Sequence, residues 1–128
     1  MIERYLTCRH EFGGRGPEAF DCWGQVRDVR ANVFGLRWLP SYGAVADGDK
    51  RGLTKATLRE SRNFRVVDPC PAAIATVWKG RLCVHVAICI EVDGRLGVLE
   101  TNPDTGPRWL PICDFERRYL KVIYYHDD

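Results

Sequence analysis

The chain has 128 residues, 45% of them hydrophobic, 28% charged and 11% aromatic. That is enough apolar chain for one packed domain over residues 1–128, and it excludes a disordered tail. Nineteen basic residues against seventeen acidic ones give +2, too balanced to point to nucleic acid or a membrane surface. No apolar run approaches the roughly 20 residues that span a bilayer. The start, Met1-Ile2-Glu3-Arg4-Tyr5-Leu6, lacks the pattern of a secretory leader, so a cytoplasmic protein is expected. Six cysteines, at positions 8, 22, 70, 83, 89 and 113, are then expected as reduced thiols.

In chain order, Gly13-Gly14-Arg15-Gly16-Pro17 is a loop composition. A helix is predicted to open at Cys22 with Asp21 as N-cap. Trp23, Val26, Arg30, Val33 and Phe34 follow helical spacing, and Gly35 suits the residue after the helix. Leu36 to Gly52 reads as loop, and Leu53 to Asn63 as a weaker helix. Asp68-Pro69-Cys70-Pro71 breaks the chain. Ala73 to Trp78 is a strand candidate, and Leu82 to Val92 is the strongest one. It alternates Val84, Val86, Ile88, Ile90 and Val92 with Cys83, His85, Ala87, Cys89 and Glu91. Asp93-Gly94 is a two-residue hairpin signal, with a return strand from Arg95 to Asn102. Pro103 to Pro111 reads as loop and Lys121 to Tyr125 as a last strand. A helical front half followed by an antiparallel meander makes an α+β domain.

Chemistry concentrates at two places. Cys22 stands at the first turn of a helix, where the dipole and free N–H groups favour a thiolate and hold an oxyanion. The commoner fate of a free cysteine is a small buried apolar residue. His85 is the candidate base, set among small neighbours on its strand face. Its ordinary alternative is a hydrogen-bonded core or edge histidine. His10 precedes the glycine loop and can approach Cys22 through it, while His126 sits in a charged terminus and is expected in solvent. A base histidine needs an acceptor that orients it. If Val92 pairs with Arg95, His85 lies opposite Asn102 and one diagonal step from Glu100. Both share its face, and the register does not choose between them.

The segment His10-Glu11-Phe12-Gly13-Gly14-Arg15-Gly16-Pro17, then Phe20-Asp21-Cys22-Trp23-Gly24-Gln25-Val26-Arg27, resembles the nucleophile segment of the NlpC-type papain-fold cysteine peptidases. With Trp after Cys, and with Leu39-Pro40-Ser41-Tyr42-Gly43, it is most similar to the branch found in phage tails and prophages. His85-Val86-Ala87-Ile88, Gly94-Arg95 and Val98-Leu99-Glu100-Thr101 resemble that family's His strand and hairpin. The resemblance covers roughly residues 5 to 101.

It implies a papain-like α+β fold, with the nucleophile helix packed on an antiparallel sheet. It also implies cysteine-dependent hydrolysis of amide bonds in cell-wall peptides, typically between D-glutamate and diaminopimelate. Cys22 would be the nucleophile, His85 the base and Glu100 the third polar residue. The oxyanion would meet the Cys22 N–H and His10, while Asp21 and Trp23 would lie at the substrate. No cofactor and no metal are called for, and phage-tail proteins are candidate partners. The chain departs from the family at Glu100, where His, Asn or Gln is usual. It departs again at His10 for Tyr, at Trp23 for Ser and at Ala72-Ala73 for Gly-Asp.

Two other readings come from different classes. A catalytically silent structural or tail-assembly domain would keep the groove for binding. A zinc module of Cys83, His85 and Cys89 fails on reach, because Cys83 and Cys89 would stand about 20 Å apart on an extended strand. Trp38, Trp78 and Trp109 read as core or loop anchors. The segment from Val45 to Asn63 reads as an insertion-like region to which the residues assign no role; a cover over the groove is one option.

Overall fold

A computed structural model describes residues 2–43, 45 and 48–128. The front of the chain holds a short helix α1 (Glu3–Leu6) and two short strands, β1 (Arg9–His10) and β2 (Ala19–Phe20), paired in parallel. Helix α2 (Cys22–Asn32) follows, then α3 (Lys50–Ser61). Next come β3 (Arg65–Val67), β4 (Ile74–Lys79), β5 (Leu82–Val92), β6 (Arg95–Asn102) and β7 (Gly106–Pro111). The chain ends with α4 (Ile112–Glu116) and β8 (Val122–His126). Six strands form one antiparallel sheet in the order β3-β8-β4-β5-β6-β7. The architecture is α+β.

Helix α2 begins where the sequence predicts. Asp21 is extended (φ −89°, ψ −176°) and its carboxylate accepts from the Gly24 N–H, which satisfies one of the helix's orphan donors. Helix α3 starts three residues earlier than expected, because Gly52 reads as a breaker but sits in the first turn. There its N–H donates to the N-cap Asp49.

The β5–β6 hairpin has the expected register, with Val92 opposite Arg95. Asp93 and Gly94 both take positive φ (51° and 79°), the geometry of a tight hairpin turn. The segment from Pro103 to Pro111 is not all loop. Strand β7 lies at the sheet edge, where its two prolines leave no inner ladder bond unmade. Strand β3, absent from the sequence reading, is a three-residue edge paired with β8.

The sheet carries a core on each face. On one, Cys22, Trp23, Val26 and Val29 of α2 and Leu53 of α3 pack against Ile74, Val86, Ile88 and Ile90. On the other, Ala75, Ala87, Cys89 and Val98 pack against Phe115 and Tyr124. The register slips between Val77 and Trp78, opposite the start of β5. This bulge breaks the predicted alternation: Cys83 joins the α2 face and Val84 the other. His126 is buried, with Nδ1 accepting from the Asp128 N–H, because β8 lies inside the sheet. The expectation of a solvated side chain is corrected. Among the described residues no helix is long and apolar enough to cross a membrane.

Candidate active site

His85 sits just past the bulge near one end of β5. Alternation sets it with Ala87 and Cys89, on the face opposite α2. Its ring is nearly buried and lies 5.9 Å from the Tyr119 ring. Nε2 lies 2.8 Å from Glu100 Oε1.

Glu100 is fully buried and takes three partners. His85 and the Tyr119 hydroxyl (2.9 Å) meet Oε1, and the Arg108 Nε–H donates to Oε2 at 2.8 Å. Burial alone would push its carboxyl upward. The hydrogen bond and charge of His85, with the bonds from Arg108 and Tyr119, outweigh that and hold it at about 2. Glu100 is therefore a carboxylate that only accepts, so the His85 nitrogen facing it must carry the proton. Neutral His85 is the Nε2–H tautomer, and Nδ1 holds the basic lone pair. Asn102 does something else. Its side-chain oxygen accepts from the Asp104 and Thr105 N–H groups and shapes the β6–β7 turn.

His85, Arg108 and Tyr119 border an open cavity of about 760 Å³ at this end of the sheet. Phe12 and Gly48 border it from the front of the chain, so the region after Val45 does reach it. Lys50, Lys79, Arg108 and Arg118 meet there, with Asp104 as the one carboxylate among the described lining residues. Lys50 also donates to the Val84 carbonyl.

Cys22 is fully buried in the α2 face of the core. His85 stands on the other face of the sheet, so the structure does not bring these two predicted site residues together on one face. Its N-cap Asp21 is buried too. One oxygen accepts from Gly24 N–H and Arg15 Nη1, the other from Gly13 N–H. Asp21 is thus a fully buried cap with both oxygens engaged. Arg15 also reaches the carbonyls of Ser41, Tyr42 and Val45, tying the following loop to the start of α2. Trp23 is buried, with its indole N–H donating to the Pro40 carbonyl and its ring 5.8 Å from Tyr42. It anchors that loop and lines a small apolar cavity with Thr57, Ile74 and Thr76. His10 lies beside Phe12, ring to ring at 5.1 Å.

All six cysteines are free thiols. Burial pushes the Cys83 thiol up, and the Cys89 thiol to about 12, which makes both poor nucleophiles. Among the described residues no three His, Cys, Asp or Glu side chains converge as a metal site.

The sequence located His85 and Glu100 but gave no role to Arg108 or Tyr119. Arg108 lies in the segment read as loop, and Tyr119 reaches the site from beyond α4. No family model matches the chain, and no curated protein matches it.

Proposed function

We propose that the chain is a thiol hydrolase of the NlpC papain-fold type, cleaving amide bonds in cell-wall peptides in a phage-tail or prophage setting. The observation that carries this reading is the His85–Glu100 unit. It is a histidine with one nitrogen fixed by an ionised carboxylate and the other left basic, at the wall of an open cavity. Such a unit is what a cysteine nucleophile needs beside it.

The weak point is position: Cys22 packs in the core on the α2 face of the sheet, whereas His85 stands on the other face. Arg30, near the far end of α2, donates to the Ala72 carbonyl, and the Ala72 N–H donates to Cys89 of β5. Eight residues of helix rise about 12 Å, which is about four residues of strand. An α2 axis running along β5 would set Cys22 near the level of His85, on the other face of the sheet. Trp23 beside it shares a small cavity with Thr76, the partner of Val86. The chain also links the two places: Gly13 binds Asp21, and its neighbour Phe12 borders the cavity.

This reading requires the Cys22 side chain to come within reach of His85 from the other face of the sheet; Sγ then gives its proton to His85 Nδ1 and attacks the amide carbonyl. The N–H groups at the start of α2, with His10, hold the oxyanion. His85 returns the proton to the leaving amine. A water, deprotonated by His85, then releases the acid and restores the thiol. The cationic rim suits a peptide that carries carboxylates.

A second reading, a silent binding domain, is favoured by one observation: Cys22 is completely buried in the core on the α2 face, with His85 on the other face of the sheet. Purified cell-wall fragments incubated with wild type, Cys22→Ala and His85→Ala separate the two by mass spectrometry. Cleavage by wild type alone supports hydrolysis. No cleavage by wild type across several fragment types supports the binding reading.

A further inference from the structure

We infer that Arg108 is a positioning residue which balances the charge of Glu100, so that His85 faces a neutral ion pair rather than a bare carboxylate. The role rests on the hydrolase reading, but its measurement does not. A carboxylate against an imidazole favours imidazolium, commonly by a unit or more, and imidazolium cannot take a thiol proton. Glu100 is buried with no solvent to screen it, and its second oxygen is filled by the Arg108 Nε–H at 2.8 Å. The guanidinium, about a third exposed at the cavity wall, keeps its own charge at any working pH. The Glu100–Arg108 pair thus offers His85 the geometry of a charged acceptor with little net charge, much as a neutral amide would.

The other groups facing His85 are few. Tyr119, between α4 and β8, donates to the same oxygen as His85, and its hydroxyl is pushed well above its ordinary range by burial and by Glu100. It therefore stays a neutral donor. Lys50 of α3, Lys79 of β4 and Arg118 border the cavity as cations, and Asp104 as an anion. The guanidinium bonded to Glu100 is that of Arg108.

The test is the titration of His85 followed by NMR of its ring carbons. Arg108→Gln leaves the full carboxylate charge on the ring. The His85 midpoint is expected to rise by about one pH unit, and the alkaline shift should appear equally in any pH–rate profile. Arg108→Lys keeps the charge and is expected to bring the midpoint most of the way back. A purely structural role would not produce that rescue of a titration. Glu100→Gln with and without Arg108→Gln repeats the comparison with no buried carboxylate at stake for folding; removing Arg108 should raise the midpoint there too. A midpoint unmoved or lowered in both comparisons overturns the inference. A chain that titrates as stated yet cleaves no cell-wall fragment removes the hydrolase reading and leaves the charge-balancing role standing.

Discussion

The start of α2 packs on one face of the sheet and the His85 wall stands on the other, and the two are built on opposite principles. At the start of α2 every named polar group is tied. Asp21 takes three donors, Arg15 spans the carboxylate and a loop, and Trp23 is pinned by Pro40. The His85 wall is tied behind and open in front: Glu100 is saturated from within, while His85 and Arg108 border a cavity rimmed with cations. Saturated polar groups hold shape, whereas a charged rim left to solvent is where a ligand gains most by binding. The difference teaches that the start of α2 is held for shape, while the His85 wall is left open to a ligand.

The contrast can be broken first on the open side. Glu100→Ala strands Arg108, Tyr119 and His85 around a hole and is expected to cost about 3–5 kcal/mol, read as a fall in midpoint in urea. On the closed side Gly24 is the tightest spot, since a Cβ there would run into the Gly14 carbonyl. Gly24→Ala should cost about 1–3 kcal/mol through overpacking. Asp21→Ala removes a cap and should cost about 1–2 kcal/mol by the same measurement. Trp38 is half exposed, with Arg27 over its ring, and Trp38→Ala should stay within about 0.5 kcal/mol.

Acid sharpens the comparison. Glu100 has a folded value of about 2 against an ordinary 4.5. Its contribution is therefore complete above the ordinary value and is lost as pH falls through the folded one. Wild type should lose stability between about pH 4.5 and 2. Glu100→Gln should lose less over that window, as thermal melts across it will show.

Much of this arrangement was legible in the residues. The alternation of Leu82 to Val92 with the Asp93-Gly94 turn set the hairpin register, and with it the neighbourhood of His85 and Glu100. Asp21 marked the start of α2 through its capping chemistry. What stayed hidden had non-local causes. The bulge that moves Cys83 across the sheet depends on a mismatch with β4. Arg108 was masked by Pro107 and Pro111, which read as loop but are tolerated on an edge strand. The choice of Glu100 over Asn102 was made by Asn102's own turn, a local bond that register alone does not reveal.

The most direct measurement of the pairing of Cys22 with His85 is the rate at which iodoacetamide labels each thiol, read by peptide mass spectrometry. Exposed Cys113 serves as the internal reference. The expected result is that Cys22 reacts faster than Cys113 near neutral pH and slows at least tenfold in His85→Gln. A Cys22 that labels no faster than Cys113, and at the same rate with or without His85, would contradict the account.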